Sequence, residues 1–205
     1  MSRTGFVPNR NGFHFENTFV NQIVGAIRTY GLCGGMSLAA SRYYKRNIPI
    51  PFQTVLPREN STLRDYIYSC QMESYGPFGL LSAVNWITMP AVSFEDQFRW
   101  CFGEFDRIKP HINCDNPIVI GLRHRGSPGG HQVLAIGYDE APRRISVYDP
   151  NYPNEERLIT MDESSRRLVY SRYNGGEGLD TVWSSFFITG CSIGNQVPPE
   201  IRTVQ

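Results

Sequence analysis

Tyr30 opens the stretch YGLCGGMSLAA, which runs to Ala40 and sets where the central helix is expected. Its glycine-rich turn precedes small and apolar residues, so we predict a helix over Gly34–Tyr44. Unpaired N–H groups and the positive end of a helix dipole stabilise a thiolate at such a position. Cys33 is therefore a candidate nucleophile, and the N–H groups around Gly34 are candidates for holding an oxyanion. The alternative is an ordinary core thiol beside a tight turn.

A histidine stands near the start of a second informative stretch, GGHQVLAIGYD, at residues 129–139. The apolar and β-branched residues that follow predict a strand over His131–Tyr138. A histidine there can turn one ring nitrogen toward a cysteine on a facing helix and the other toward an acceptor. His131 is therefore the candidate base, with a purely structural role as the alternative.

A carboxylate ends the predicted strand in a third stretch, RISVYDPN, at residues 144–151. If this strand forms a hairpin with the strand of His131, Asp149 approaches the imidazole, fixes its tautomer and stabilises the imidazolium. The alternative is a turn-initiating Asp-Pro pair. Asp139 is a rival acceptor, but it ends the histidine's own strand, about 25 Å away at the rise per residue of a strand. Asp149 is preferred.

The remaining histidines and cysteines are weaker candidates. His14, His111 and His124 occupy a loop-like segment, a helix end and a polar turn. Five cysteines without a CxxC pair, and odd in number, argue against a zinc knuckle and against a complete disulfide framework. Thiols in helical patterns behave as small hydrophobes. We expect no metal and no cofactor; the other cysteines are Cys70, Cys101, Cys114 and Cys191.

The chain changes character near its middle, which predicts an α+β fold. Helical spacing before about residue 110 predicts helices over Asn17–Arg28, after Ser61 and from Ser93 to about Ile108. After it, short β-branched and aromatic runs predict strands. We expect one domain over residues 1–205, mainly helical over 1–110 and mainly β over 111–205. The predicted strands are Pro117–Leu122, His131–Tyr138, Arg144–Tyr148, Glu156–Thr160, Leu168–Ser171 and Val182–Thr189.

Composition restricts the partners. Hydrophobic residues make up 40% and charged residues 19%, which is typical of a globular protein. Lys and Arg number 20 against 19 Asp and Glu, so no global field favours nucleic acid or anionic lipid. The local cluster Arg123, His124, Arg125 either attracts an acidic substrate or is a solvated loop. The oligomeric state stays open.

The chain shows no sign of a secretory signal or a bilayer span. The amino-terminal stretch MSRTGFVPNRNGFHF lacks a continuous apolar run after its basic start. The best candidate span, Phe78–Val92, is short and contains Asn85 and Pro90. We therefore expect a soluble protein that is cytoplasmic as synthesised, or exported by a route that uses no cleavable signal peptide.

In three segments the sequence resembles the papain-like cysteine peptidases, and most closely their bacteriocin-processing branch. The segments are Gly31–Met36, His131–Tyr138 and Val147–Asn151. The resemblance implies a nucleophile helix packed on a twisted antiparallel sheet, with Cys33, His131 and Asp149 as catalytic triad. It also implies a peptide or protein substrate and amide or thioester chemistry through an acyl-enzyme.

One position departs from that family. Such enzymes carry a Gln about six positions before the cysteine to help form the oxyanion hole, and here Ile27 stands there. Asn17, Gln22 and Asn151 are alternative polar candidates, beside backbone N–H groups such as that of Gly34. Three functions remain open: hydrolysis of a peptide or isopeptide bond, glutamine deamidation or acyl transfer by a delivered effector or toxin, and a catalytically inactive binding module.

Overall fold

The structure is a computed structural model that describes residues 1–24, 27–76, 93–125, 129–173, 183–191 and 196–201, excluding the side chains of residues 21–30. The apolar stretch Phe78–Val92 lies outside these residues. No helix in the described ranges is long and apolar enough to cross a membrane. The helices are α1 (Pro8–Asn11), α2 (Cys33–Lys45), α3 (Thr62–Ser74) and α4 (Phe94–Asn113). The strands are β1 (Ser2–Arg3), β2 (Val20–Val24), β3 (Ile27–Tyr30), β4 (Ile118–His124), β5 (Gly130–Glu140), β6 (Arg143–Tyr148), β7 (Glu156–Asp162), β8 (Arg167–Arg172) and β9 (Trp183–Ile188).

A seven-stranded sheet organises the fold. Its order is β8-β7-β6-β5-β4-β9, and every pairing is antiparallel. The pairing of β4 with β5 ends at Ile118 and Ala135. Beyond that point β1 pairs with β5, with Arg3 opposite Gly137. Strands β8 and β9 lie at opposite ends of the strand order but contact each other, so the sheet is curled. The α+β class is confirmed. The sheet is not formed by the second half of the chain alone, because β1 comes from the first half.

Two hydrophobic cores lie on the two faces of this sheet. Helices α2 and α3 and the amino-terminal phenylalanines cover one face, where Leu134 and Ile136 of β5 are buried. Helix α4 covers the other face, where Val133 and Ala135 of the same strand are buried. The alternation along β5 follows the two-residue period of a strand. A strand buried on both faces explains the unbroken apolar run VLAI in the sequence.

Glycine sets the start and the packing of α2. Gly31 has a φ of 80° just before the helix, and a Cβ there would lie 2.7 Å from Nδ2 of Asn17. Gly35 lies so close to α3 that a Cβ would come within 2.2 Å of the Ile67 carbonyl oxygen. The predicted helix over Gly34–Tyr44 is confirmed, one residue longer at each end.

The predicted helix over Asn17–Arg28 is wrong. Strands β2 and β3 form an antiparallel hairpin there, with Val20 opposite Tyr30. Helical spacing suggested a helix, but β-branched residues are frequent in the segment and lose rotamer freedom in helices. Such residues are Thr18, Val20, Ile23, Val24 and Ile27, and Thr29 follows directly after it.

The other elements follow the sequence closely. Ser61 caps α3 and Ser93 caps α4, each accepting a hydrogen bond from a backbone N–H in the first turn. Helix α4 continues past the predicted end at Ile108 and includes Pro110. The six predicted strands correspond to β4 to β9, with residue 182 outside the described part of the chain.

Candidate active site

Cys33 is the first residue of α2 and is partly buried. The backbone N–H of Gln132 on β5 donates a hydrogen bond to its sulfur at 3.3 Å. N–H groups in the first turn of a helix have no partner within the helix. The third of them, that of Gly35, donates to Oε1 of Gln71 at 2.9 Å. For those of Cys33 and Gly34 no acceptor is found among the described residues.

His131 lies between the thiol and a carboxylate. Its Nε2 is 2.7 Å from Oδ1 of Asp149, and the imidazole is close enough to the thiol of Cys33 to lower the pKa of the thiol. Because Asp149 occupies Nε2, Nδ1 is the ring nitrogen left to interact with the thiol. The indole of Trp183 stacks on the imidazole, with centroids 6.0 Å apart and planes inclined by 19°. The ring is thus held at Nε2 and on one face.

Asp149 follows β6 directly and is only 1% exposed. Its Oδ1 also accepts the backbone N–H of Asn151, at 2.9 Å. Its Oδ2 accepts a hydrogen bond from the hydroxyl of Tyr170 on β8. Each oxygen of the buried carboxylate therefore has a donor, as a buried charge requires.

The electrostatics of the site favour a thiolate and an imidazolium. Burial opposes ionisation of Cys33, but the charge and hydrogen bond of His131 and the Gln132 N–H outweigh it, so the pKa of Cys33 is lowered. Burial likewise disfavours charged His131, but Asp149 and Cys33 raise its pKa well above the usual value. Burial would raise the pKa of Asp149, yet His131 and the hydrogen-bond donors hold it below its usual value. Together these shifts favour a thiolate–imidazolium pair beside an ionised carboxylate.

Asn17 and Asn151, two of the oxyanion candidates, join the nucleophile turn to the carboxylate turn. Asn17 Oδ1 accepts the N–H of Leu32 at 2.5 Å, and its Nδ2 donates to Oδ1 of Asn151 at 3.0 Å. The backbone N–H of Asn17 also donates to the carbonyl of Pro150 at 3.1 Å. Both side chains are therefore engaged in bracing the site. The side chains of Gln22 and Ile27 lie outside the described part of the structure.

A buried amide cluster that the sequence analysis missed supports the start of α2. A Cβ on Gly34 would lie 1.9 Å from Oε1 of Gln132 and 2.2 Å from the hydroxyl of Ser74. Gln71 Nε2 donates to the same Oε1 at 3.2 Å, and Ser74 Oγ donates to it at 2.9 Å. A glycine after the cysteine is thus required for packing, and the cluster fixes β5 against α2 and α3.

Tyr170 and Trp183 were also missed as site residues. Both lie in predicted strands, but the sequence pattern of a strand does not show which other strands become its neighbours in the sheet. One signal was present for Tyr170, since a tyrosine on the apolar side of a buried strand needs a partner for its hydroxyl. The identity of that partner comes only from the curled sheet.

The rival groups have partners elsewhere. His14 contacts Oδ1 of Asn154 at 2.6 Å, and Asp139 pairs with the amino group of Met1 at 3.4 Å. Burial raises the pKa of Cys70 to about 11 and that of Cys101 to about 12, the opposite of Cys33. Within the described ranges, no group of three or more His, Cys, Asp or Glu is arranged to hold a metal ion.

A family model described as "Peptidase_C39 like family" matches residues 18–177. The matched segment contains Cys33, His131, Asp149 and Tyr170 and ends before Trp183. No curated protein and no solved structure matches the chain significantly. The match covers most of the chain, including α2, α3, α4 and strands β4 to β8.

Proposed function

The chain belongs to the Peptidase_C39 like family, relatives of the papain-like cysteine peptidases, and we propose on this premise that it hydrolyses a peptide, isopeptide or related amide bond through an acyl-enzyme on Cys33. The observation that supports this reaction is the chain of contacts from Cys33 to His131 to Asp149. An activated thiol, a base and an oriented acceptor are what nucleophilic catalysis by cysteine needs.

In the first half of the proposed reaction, the Cys33 thiolate attacks the substrate carbonyl and a carbon–sulfur bond forms. The carbonyl electron pair moves to oxygen, and the N–H groups of Cys33 and Gly34 stabilise the negative charge. When the intermediate collapses, the carbon–nitrogen bond breaks and the leaving amine takes the proton from Nδ1 of His131. The product is a thioester on Cys33.

In the second half, neutral His131 takes a proton from water as the water oxygen attacks the thioester. The carbon–sulfur bond then breaks, which releases the acid and restores the thiolate–imidazolium pair. Asp149 keeps Nε2–H oriented and stabilises the imidazolium in each half. We propose that residues 1–205 act as one catalytic domain, since Cys33 comes from the first half of the chain and its partners from the second.

Thiol labelling tests the nucleophile. Treatment with iodoacetamide at neutral pH, followed by peptide mass spectrometry, is expected to modify Cys33 before the other cysteines because it is held as a thiolate. Cys114 is exposed, so Cys114→Ala is the matched control and keeps the fast label, whereas Cys33→Ala loses it. Faster labelling of Cys114 than of Cys33 in the wild type would contradict the assignment.

The products of turnover show which kind of bond the protein cleaves. A peptide library incubated with the protein in H2(18)O is expected to yield new carboxyl termini that carry 18O, and Cys33→Ala should yield none. Conversion of glutamine to glutamate, or transfer of an acyl group to an added amine, would indicate the deamidase or transferase reaction instead. Slow labelling of Cys33, as for an ordinary thiol, together with an absence of turnover would indicate a binding module.

A further inference from the structure

We propose that Gln71 and Gln132 are positioning residues of this site, whose buried amides set the distance between the backbone N–H of Gln132 and the sulfur of Cys33 and so help to hold the nucleophile as a thiolate. The inference rests on the proposed function, because it concerns the same nucleophile. It gives the buried amide cluster of Gln71, Ser74 and Gln132 a role in reactivity as well as in packing.

The backbone N–H of Gln132 lies beyond the part of β5 that pairs with β6. That pairing begins where Leu134 lies opposite Tyr148, further along the strand. The N–H of Gln132 donates to the sulfur of Cys33 at 3.3 Å. Burial opposes the thiolate and His131 favours it, and this N–H is a further cause of the lowered pKa of Cys33, since a donor stabilises the charged form. The thiolate thus has a fixed donor besides the imidazole.

The side chain of Gln71 on α3 connects this donor to the helix that carries the sulfur. Its Oε1 accepts the backbone N–H of Gly35 in α2 at 2.9 Å, and its Nε2 donates to Oε1 of Gln132 at 3.2 Å. Ser74 holds the same amide, because its Oγ donates to Oε1 of Gln132 at 2.9 Å and its carbonyl accepts from Nε2 at 3.1 Å. Both ends of the contact between N–H and sulfur are therefore tied to α3.

Burial makes the amide cluster a stiff support. Gln71 is 6% exposed, Gln132 is 8% exposed and Ser74 is fully buried, so bulk water does not take the place of a missing partner. A buried amide group without a partner is costly, and the cluster favours the arrangement in which both amides are paired. That arrangement is the one that places the N–H of Gln132 on the sulfur.

The charges around the thiol stay the same when a neutral amide is replaced. Among the described residues, the titratable groups that act on Cys33 are His131, Asp149 and Tyr75. Burial raises the pKa of Cys33, His131 lowers it and the negative charge of Asp149 raises it. Burial raises the pKa of Tyr75, which follows α3 directly, so its phenol stays neutral where the thiol ionises. A change in the pKa of Cys33 after such a substitution then reports on the donor.

The test measures the pH dependence of Cys33 alkylation in the wild type, Gln71→Met, Gln132→Met and the double variant. Methionine has nearly the shape of glutamine but only a weak acceptor and no donor, so it breaks the cluster without adding charge. Rates are measured with iodoacetamide between about pH 4 and pH 9, which spans the ionisation of thiols, with a thermal unfolding curve for each protein.

In each single variant the acid limb, where the rate rises with pH, is expected to move to higher pH because the thiolate loses a well-placed donor. Alkylation on that limb should slow about three- to tenfold, as expected for one hydrogen bond, while alkaline rates match the wild type. Because both amides act through one contact, the double variant should shift no further than a single variant. An unmoved limb in a folded single variant, or additive shifts, would overturn the proposal.

A milder substitution decides the matter if the methionine variants do not fold. Ser74→Ala removes one donor to Oε1 of Gln132, so its acid limb should also move to higher pH. Ser41→Ala is the matched control, because Ser41 is a buried serine further along α2 whose hydroxyl donates to the carbonyl of Pro117 at 3.2 Å. An equal shift in both variants, or none in Ser74→Ala, would overturn the proposal.

Alkylation requires no substrate, so the proposed function and this inference fail separately. Absence of turnover in a protein whose acid limb moves in the variants would count against hydrolysis and support the role of the amide cluster. Turnover by a wild type whose acid limb the variants leave in place would count against the amide cluster alone.

Discussion

The pKa of Cys33 is lowered and the pKa of His131 is raised, and these opposite shifts are the main chemical property of the site. The pKa of the thiol lies below its usual 9.0, and that of the imidazole lies well above its usual 6.5. Protons leave such a pair in two steps that belong to the pair as a whole. The two shifts favour the thiolate–imidazolium pair as the form present between these steps.

A bell-shaped pH profile is the expected kinetic result. Hydrolysis should rise with pH as the thiol ionises and fall as the imidazolium, which protonates the leaving amine, loses its proton. In Asp149→Asn the negative charge that raises the pKa of His131 is gone, so the alkaline limb should move to lower pH. The measurement is kcat/KM against pH for both proteins. An alkaline limb at the same pH in both would exclude Asp149 as the charge that stabilises the imidazolium.

The three central residues should differ in their effect on turnover. Cys33→Ala should abolish it and His131→Ala should nearly do so, because both take part in bond making or proton transfer. Asp149→Ala should lose activity but keep a measurable rate, since it acts through His131. Turnover is compared after circular dichroism has shown each variant to be folded. Full activity of folded Cys33→Ala would refute covalent catalysis, and full activity of Asp149→Ala would reassign the orienting role.

The sequence indicated these three residues because each carries a local signal: a turn before a helix, the start of a strand and the end of a strand. The supporting residues lack such signals. Gln71 and Gln132 meet only when α3 and β5 pack on α2, and Trp183 meets His131 only when β9 pairs with β4. These are consequences of topology, which a single sequence does not specify locally.

At the scale of elements, close contact between α2 and α3 holds the nucleophile in place. Gly35→Ala would put a Cβ 2.2 Å from the Ile67 carbonyl oxygen and 3.0 Å from the Gln71 backbone nitrogen. Because both atoms are backbone, the helices must separate, and we expect a loss of about 1–3 kcal/mol in the free energy of unfolding. Urea denaturation measures this loss.

Gly103→Ala on α4 is the matched control. A Cβ there meets nothing within 4 Å, so the substitution removes only the backbone entropy cost of a helical glycine. We expect a gain of about 0.5–1 kcal/mol. Equal effects of the two substitutions would mean that the contact between α2 and α3 does not limit the packing.

Helices and strands were predicted correctly where the apolar spacing agreed with the residue types and the capping residues. The prediction failed where the apolar spacing and the residue types conflicted. Helices α3 and α4 begin beside serine caps, and strands β4 to β9 carry short β-branched, aromatic or other apolar runs, so both types were predicted. In the hairpin of β2 and β3 the apolar spacing fitted a helix while the residue types fitted strands. The residue types decided the structure. Strand β1 is too short for any local pattern to reveal it.

For the whole molecule, the pair of His131 and Asp149 links stability to pH. Because the pKa of His131 is raised on folding, its contribution is complete below the usual 6.5 and is lost as pH rises through the raised pKa. Because the pKa of Asp149 is lowered, its contribution is complete above the usual 3.8 and is lost as pH falls through the lowered pKa. Between those two usual values the pair contributes fully.

Thermal unfolding in a Cys33→Ala background, where the thiol does not titrate, isolates this linkage. The difference in Tm between that protein and its Asp149→Asn derivative should be largest in the window just described and shrink toward both acid and alkaline pH. Each 1 kcal/mol lost corresponds to about 2–4 °C for a chain of this size. A difference that is constant from pH 4 to pH 9 would show that the two side chains are not coupled by charge.

The strand order also has a consequence for synthesis on the ribosome. Cys33 emerges early, on α2, whereas the strands that carry its partners, β5 and β6, follow far later in the chain. Until those strands have paired, no imidazolium lies beside the sulfur, and the thiol has the low reactivity of an ordinary cysteine at neutral pH. A nascent or prematurely terminated chain therefore exposes a comparatively unreactive cysteine. The pKa of the thiol falls only after the strands that position His131 and Asp149 have paired.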